Sequence, residues 1–519
     1  MNKQQNRLLE LDKIYNLISV PGNLFESVKR YKLGTEKLSA NEVREAYKRR
    51  GVFINELKHH TENKWYNLLA HIDEISLSVY RDGHPALHDL FELKSFLYHY
   101  LALRSYSIER SITNYQLPDL EDLFVLLDPE GGRIPHFRLS PLYSNTLQTL
   151  NDRRQELSNQ LRYTRRMFLH EAIDQLGISG LKEEFVLSRN QTDLIQKIQT
   201  SQYFRLKQES IANLIFTLAD SLEANSIKRE ITDLNTELEE EENRILDYLG
   251  IRIAEYSDKI KQALGSLKEL GWDFALAVFA TNYSCCIPCV DDKIALQGAR
   301  NLALELSLRS QKRPYQNLDL EFGIAANLIT GPNMGGKTTI LRCLAQFANL
   351  LKRAIPLPSD KAVFPFYDFV YYNHASEKEN LSSFGSEVVS FSQAIQLEGR
   401  GLFLLDEFAK GTNPREGEAL ATAVIQYLTS SPHTCVAATH FTAPTLLQNI
   451  NQYQIKGIDA ALHSIDSDDL GERLRILAKA MDYSLLRLED NKKPPMDAFR
   501  IAEILGMPKD IMHLLSQKS

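Results

Sequence analysis

Long hydrophobic runs, a strong net charge and a dense set of cysteines are all lacking from this sequence of 519 residues. No apolar run approaches the roughly 20 residues that a membrane-spanning helix needs, so we expect no membrane partner. Residues 1–7 are polar and do not resemble the apolar segment of a signal peptide. The 5 cysteines fit a reducing compartment, and we therefore expect a cytoplasmic protein.

The low net charge and the few cysteines also indicate which ligands to expect. The formal net charge is −7, so no overall basic excess indicates nucleic acid, although local basic patches remain compatible with it. Cys286 and Cys289 form a C-x-x-C pair, but no second cysteine pair or histidine cluster accompanies them. A closed zinc site would lack ligands, and we expect buried reduced thiols instead.

The most informative stretch is residues 330–339, which read TGPNMGGKTT and contain G-x-x-x-x-G-K-T. An apolar run precedes it and a helical pattern follows, which is the strand–loop–helix context of a phosphate-binding loop. The backbone N–H groups of such a loop and the helix N-terminus face phosphate oxygens. Lys337 should reach the outer phosphates, and the Thr338 hydroxyl should hold Mg²⁺. The predicted nucleotide-binding residues are Gly331, Pro332, Asn333, Met334, Gly335, Gly336, Lys337, Thr338 and Thr339.

A second motif lies about seventy positions downstream. Residues 402–407, LFLLDE, predict an apolar strand that ends in two carboxylates. We expect Asp406 to bind Mg²⁺ and Glu407 to polarise the attacking water. The alternative is a plain strand followed by a helix N-cap, which the preceding phosphate-binding loop disfavours.

The loop sequence resembles that of the MutS mismatch-repair family, and further blocks follow in that family's order. Residues 381–387 (LSSFGSE) resemble its S-[ST]-F-x-x-E segment, and residues 406–421 (DEFAKGTNPREGEALA) resemble its second carboxylate motif and the following loop. Residues 438–441 (ATHF) resemble its switch histidine, and residues 501–508 (IAEILGMP) resemble a motif of its tail. The resemblance covers the C-terminal half firmly and the N-terminal half only in outline.

This resemblance implies an α/β P-loop ATPase domain of the ABC type, with ATP and Mg²⁺ as cofactors. In the family two such domains face each other, so we expect a homodimer or a pairing with a related MutS-like subunit. Ser382 and Ser383 would then reach the partner's γ-phosphate, and Thr412 and Asn413 would lie in the interface loop. The resemblance adds His440 to the catalytic residues Lys337 and Glu407, as a sensor of the γ-phosphate, and puts Tyr315 against adenine. By residue type alone, the serines form an ordinary turn and a lone histidine is structural.

The N-terminal half is helical in pattern. Apolar residues recur at helical spacing from Leu142 to about Phe168 and again from Ile227 to Leu264, which suggests an antiparallel stalk. The acidic run at 237–242 is typical of a solvated helix face. We therefore predict a mainly α-helical MutS-like core and lever domain at 1–285, with a clamp-like insertion at about 170–230, and the ATPase domain at 286–519.

What the ATPase drives is a separate question. The lever-like pattern begins so early that we expect no mismatch-reading domain, and residues 171–230 contain seven Lys/Arg against nine Asp/Glu. We therefore expect a dimeric ATPase whose turnover moves the levers and remodels a protein partner, as in the reactivation of a cobalamin-dependent aminomutase. The alternative is a MutS homologue that binds mismatched or branched DNA. Residues 411–417 (GTNPREG) resemble the endonuclease-tailed branch of the family more than its repair branch, which questions the substrate and not the ATPase.

Overall fold

The computed structural model of the protein describes most of the chain. The described residues are 8–34, 37–59, 62–76, 84–324, 326–332, 336–373, 383–458, 473, 476–477, 480–488, 501–503, 505–508 and 510–512. The chain divides into two compact units: residues 1–71, 107–115 and 266–519 form unit 1, and residues 72–106 and 116–265 form unit 2. No helix among these residues combines the length and the low polarity that crossing a membrane requires.

Helices dominate the first half of the chain and alternate with strands in the second. The helices are α1 (Leu11–Asn16), α2 (Gly22–Gly34), α3 (Ala40–His59), α4 (Glu62–Ala70), α5 (Leu87–Glu109), α6 (Glu121–Leu126), α7 (Asn145–Leu176), α8 (Thr192–Gln199), α9 (Leu222–Ala254), α10 (Ser257–Asn282), α11 (Leu302–Ser310), α12 (Lys337–Leu351), α13 (Ser383–Ala394) and α14 (Pro414–Thr429). The strands are β1 (Glu184–Ser188), β2 (Phe204–Glu209), β3 (Asn213–Leu218), β4 (Ile294–Ala299), β5 (Leu318–Phe322), β6 (Asn327–Thr330), β7 (Lys361–Val363), β8 (Phe369–Tyr372), β9 (Gly401–Asp406), β10 (Thr434–Ala438), β11 (Asn451–Ile458) and β12 (Met481–Arg487).

Unit 1 contains a six-stranded sheet in the order β12-β11-β6-β10-β9-β8. Its pairs are parallel except for β12, which runs antiparallel to β11. The central strands β6, β9 and β10 are buried along nearly their whole length, as in β9, where Leu402, Phe403 and Leu404 are fully buried. The P-loop fold predicted for the C-terminal region is therefore confirmed as a mixed helix–sheet domain with a largely parallel sheet.

Helices α3 and α10 of unit 1 meet at one buried carboxylate, that of Asp273 on α10. Asp273 accepts hydrogen bonds from Arg50 Nε at 2.6 Å, Arg49 Nε at 3.1 Å and the Tyr115 hydroxyl at 2.8 Å. Arg50 also donates to the backbone oxygen of Ala354, just after α12. The first 71 residues thus share a compact unit with the phosphate-binding loop, and the boundary predicted at 285/286 remains a prediction.

Unit 2 contains the long helical pair that the sequence predicts. Ser144 contacts Glu241, Arg153 lies 3.7 Å from Glu230, and Arg165 pairs with Asp220 at 2.7 Å. Later positions on α7 therefore contact earlier positions on or just before α9, so the two helices run antiparallel as the sequence predicts. The second helix, however, ends at Ala254 and not at Leu264, and α10 begins at Ser257. Between α7 and α9 lies a small antiparallel sheet, β1-β3-β2, with α8, which a mainly α-helical prediction for 1–285 did not include.

Candidate functional site

Parallel strand pairing places the predicted site residues at one edge of the sheet. Ala438, at the end of β10, pairs with Asp406 of β9 on one side and with Ile329 of β6 on the other. The carboxyl ends of the three strands are therefore level. The segments that leave them carry the phosphate-binding loop, the two carboxylates and His440. This common edge is where open α/β sheets bind their ligands.

The phosphate-binding loop ends in a backbone conformation that suits glycine. Gly336 has a φ of 84° and N-caps α12, which begins at Lys337. A Cβ atom at Gly336 would lie 3.1 Å from Cδ1 of Tyr483, so the glycine also permits a close approach by that ring. Asn333, Met334 and Gly335 lie outside the described residues. The described part fits the predicted strand–loop–helix arrangement.

Lys337 is 5% exposed, and its ammonium group contacts the described part of the loop. It donates to the carbonyl oxygens of Gly331 at 2.8 Å and Pro332 at 3.1 Å, and it lies 3.1 Å from Nε2 of His440. Burial lowers the pKa of Lys337, while Glu407 and Asp406 oppose that shift by favouring the charged form. The nearby carboxylates thus help to retain the cation that phosphate binding requires.

His440 lies between this cation and a carboxylate. Its Nε2 is 3.1 Å from Lys337 Nζ and 2.8 Å from Glu407 Oε1. Nε2 can accept a hydrogen bond from the lysine or, when protonated, donate one to the carboxylate, but it cannot do both at once. Burial and Lys337 lower the pKa of His440, and Glu407 opposes them. The histidine therefore connects the position of Lys337 with that of Glu407.

Asp406 and Thr338 supply the oxygen atoms that the sequence assigns to Mg²⁺. The Thr338 side chain hydrogen-bonds the Asp406 carboxylate, and burial raises the pKa of that carboxyl. A hydroxyl and a carboxylate in contact fit Mg²⁺, which takes hard oxygen ligands and keeps most of its remaining positions for phosphate and water. The metal ligands predicted from the sequence therefore lie together.

Glu407 occupies a strained position directly after β9. Its φ is 51°, in the left-handed region, and that of Ala409 is 63°. The Glu407 carboxylate pairs with Lys410 and His440. Burial would raise the pKa of Glu407, but Lys410, His440 and Lys337 together outweigh it and lower the pKa. The carboxylate is thus held ionised, as a residue that accepts a proton from water must be.

Two polar side chains that the sequence did not single out hold this segment in place. Asn373 follows β8, and its amide oxygen accepts from the backbone N–H of Asp406. Its amide nitrogen donates to the Asp406 carbonyl at 3.0 Å and to Glu387 Oε1 at 2.6 Å. The other Glu387 oxygen accepts from the Ala409 N–H at 2.9 Å. Glu387 closes the serine-containing block, which was the available signal, whereas Asn373 lies outside the blocks that resemble the family.

The residues expected to complete a partner's site are described only in part. Ser382 lies outside the described residues, and Ser383 is the first residue of α13. Asn413 is exposed and N-caps α14 by accepting from the Arg415 N–H at 3.0 Å, and Thr412 is half-buried beside it. Their reach across a dimer interface remains a prediction.

The adenine contact predicted for Tyr315 also remains a prediction. The Tyr315 ring is half-buried, and its hydroxyl accepts a hydrogen bond from the Asn301 N–H at 2.8 Å. Burial raises its pKa. A different ring, that of Tyr483 on β12, lies beside Gly336 at the start of α12. The neighbourhood of the loop therefore offers a second aromatic candidate.

Comparison with known families agrees with this arrangement. A model of the family described as MutS domain V matches residues 327–514, from β6 through the end of the described chain. The chain carries a MutS-family ATPase domain. The matched range contains the phosphate-binding loop, Asp406, Glu407 and His440, and so the recognition made from the motifs is confirmed for this part of the chain.

Similar curated proteins are named Endonuclease MutS2. That of Halothermothrix orenii is 29% identical over 297 residues, which cover 55% of this chain and 34% of that protein. That of Maridesulfovibrio salexigens is 32% identical over 228 residues, covering 41% of this chain and 29% of that protein. That of Clostridium tetani is 28% identical over 295 residues, or 55% and 35%. The chain thus spans about a third of the length of these relatives, and the resemblance of loop 411–417 to the endonuclease-tailed branch agrees with their names.

Proposed function

We propose that the MutS-type domain hydrolyses ATP by a mechanism centred on Lys337, Asp406 and Glu407. Lys337 holds the outer phosphates and stabilises the charge that develops on them, since it already lies within the loop. Thr338 and Asp406 hold Mg²⁺, which when bound neutralises phosphate charge. Glu407 accepts the proton of the attacking water. The observation that carries this proposal is the convergence of these side chains with His440 at the carboxyl ends of β6, β9 and β10.

We further propose that nucleotide turnover requires two copies of the domain. The support is the resemblance of the serine block and of the Thr412–Asn413 loop to MutS sequences, together with the exposure of residues 413–416. A second copy, or a related MutS-like subunit, would bring its Ser383 segment to the γ-phosphate. Two such sites across a two-fold axis are the arrangement that an isologous dimer gives.

For the adenine we propose Tyr483 as the stacking residue in preference to Tyr315. Tyr483 lies beside Gly336, the N-cap residue of α12, whereas the Tyr315 hydroxyl holds the backbone at the start of α11. An aromatic ring beside the loop offers a base the face that stacking needs. Tyr483→Leu should raise the KM for ATP more than Tyr315→Leu does.

The substrate expectation changes with the comparisons. The relatives described above are named for a nuclease of the MutS2 type, and they give no support to a role in aminomutase reactivation. We therefore propose the alternative, a MutS homologue whose ATP cycle acts on DNA. The experiment below measures whether the protein prefers mismatched or branched DNA to a matched duplex.

A basic stripe on α7 supports contact with DNA. Positions 154, 158, 162, 166 and 170 follow one another at intervals of four residues and form a slanted row that turns around the helix by about 40° at each step. Three of them are exposed arginines: Arg154, Arg162 and Arg166. Arg154 and Arg162 donate to the amide oxygens of Asn151 and Asn159, which are neutral partners. The acidic balance counted for 171–230 does not include these arginines.

The deciding experiment measures ATP hydrolysis and DNA binding on the same preparation. We expect hydrolysis that Lys337→Ala abolishes, and binding to a four-way junction, a mismatched duplex and a matched duplex that weakens steeply with salt. Hydrolysis that is insensitive to Lys337 would refute the site. Absence of binding to all three DNAs at low salt would refute the DNA role while leaving the ATPase intact.

A further inference from the structure

The segment that carries Glu407 contains two strained residues within three positions. Glu407 has a φ of 51° and Ala409 a φ of 63°. A left-handed conformation costs a residue other than glycine roughly 1–2 kcal/mol. Such geometry persists when the surrounding contacts over-determine it. The question is therefore which contacts hold Ala409 in place.

Ala409 is fully buried and is constrained on both sides of its backbone. Its N–H donates to Glu387 Oε2 at 2.9 Å. Its carbonyl oxygen approaches Gly417 of α14 so closely that a Cβ atom there would lie at 2.5 Å. One contact is packing, and the other is a hydrogen bond to a carboxylate, which is the stronger kind.

The same carboxylate is fixed from its other oxygen. Glu387 Oε1 accepts from the Asn373 amide at 2.6 Å, and that amide also donates to the Asp406 carbonyl and accepts from the Asp406 N–H. The side chain of Asn373 thereby continues the pairing of β8 with β9 beyond the last residue of β8. If the Asn373 amide were flipped, its NH₂ group would face the N–H of Asp406, and two donors would meet. The hydrogen bonds therefore determine the orientation of the amide.

We propose, on the basis of the ATPase function above, that Glu387 is a positioning residue for hydrolysis. One carboxylate oxygen bonds Asn373, which in turn bonds the backbone of Asp406, and the other bonds the backbone of Ala409. Together these bonds fix the turn that directs Glu407 toward the attacking water. Glu387 lies one helical turn after Ser383 on α13, so the helix expected to serve the neighbouring subunit is also bonded to the catalytic turn of its own site.

The test is Glu387→Gln in the full chain, which keeps the side chain's size but replaces one acceptor oxygen by a donor. We expect kcat to fall about tenfold, the order that one lost hydrogen bond to a charged group gives, with KM and the affinity for a fluorescent ATP analogue within about twofold. The matched control is Glu398→Gln, at an exposed glutamate after α13, which should leave all three unchanged.

A second variant separates positioning from general damage. In Glu387→Gln/Ala409→Gly the left-handed backbone at 409 no longer carries a steric penalty, so kcat should recover by about threefold or more. Loss of kcat together with nucleotide affinity, with no recovery in the double variant, would overturn the positioning role. Unchanged kcat in Glu387→Gln would overturn it as well.

Amide hydrogen exchange tests the same proposal without relying on turnover. The Ala409 amide should exchange faster in Glu387→Gln than in the wild type or in Glu398→Gln, because the single glutamine oxygen cannot accept from both the Ala409 N–H and the Asn373 amide. Unchanged protection at Ala409 would refute the inference even if hydrolysis proved absent. Wild-type hydrolysis no faster than that of Lys337→Ala, with the exchange result as expected, would instead refute the proposed ATPase mechanism.

Discussion

Replacing the arginine stripe of α7 should change how DNA binding depends on salt. The perturbation is the triple substitution Arg154→Gln, Arg162→Gln and Arg166→Gln, at exposed positions of α7. Glutamine is a good helix former, so α7 should remain intact. The charge count that favoured a protein partner over DNA covered residues 171–230 and left out most of α7. The experiment therefore tests whether the omitted part of α7 contacts DNA.

The expected magnitude follows from the geometry of the helix and from counterion release. From 154 to 166 the helix rises about 18 Å, a length over which duplex DNA carries roughly ten phosphate charges. Three arginines can therefore each neutralise one phosphate. Each such contact contributes about 0.9 to the slope of log K against log salt, so the variant should lose about 2.7 from the slope. At about 0.15 M salt this corresponds to roughly two orders of magnitude in affinity.

The assay is fluorescence anisotropy with a four-way junction and a matched duplex across roughly 50–200 mM salt. A control variant removes the same amount of positive charge from side chains that pair with carboxylates in this structure: Arg153→Gln, Arg189→Gln and Lys207→Gln. We expect its slope to change by less than one contact. Equal changes in both triple variants, or no change in either, would refute the assignment of DNA contact to the arginine stripe of α7.

The remaining predictions concern the ATPase site, the dimer and the fold. Lys337→Ala should abolish turnover in a phosphate-release assay, because the β- and γ-phosphates lose their cation; turnover within a few fold of wild type would contradict the site. Glu407→Gln should keep ATP affinity and slow hydrolysis by at least ~10²-fold, and normal single-turnover rates would place the base elsewhere. Asn413→Arg should lower dimerisation and hydrolysis together in light-scattering and kinetic measurements. Asn413→Ser keeps the helix cap and should leave both unchanged. A fully active monomer would argue against shared sites. Asp273→Asn should cost about 3–5 kcal/mol in urea unfolding, because the buried Arg50 and the half-buried Arg49 lose a counter-charge. Asp258→Asn, at a side chain 98% exposed, should cost under ~0.5 kcal/mol, and similar losses in the two variants would refute the importance of the buried network.

The chemistry of the ATP site was readable from the sequence because its parts are short and contiguous. A glycine loop at 331–336 followed by Lys337 has one local backbone solution, and four apolar residues before Asp406 predict a buried strand with its carboxylates at the end. Parallel pairing then brings strand ends together almost without further choice. The long helices of unit 2 were readable for the same reason, since a period of 3.6 is a local property.

Other features depend on which distant segments meet, and only the tertiary structure decided them. Asn373 and Glu387 stand 33 and 22 positions from the backbone groups that they bond, and neither residue type predicts such a bond. Which arginines of α7 are exposed becomes clear only in the folded helix, because a charge count along the sequence does not distinguish the sides of a helix. The sheet at 184–218 and the grouping of the first helices with the ATPase region likewise follow from packing, whose energy comes from apolar area and buried pairs shared between segments far apart in the chain.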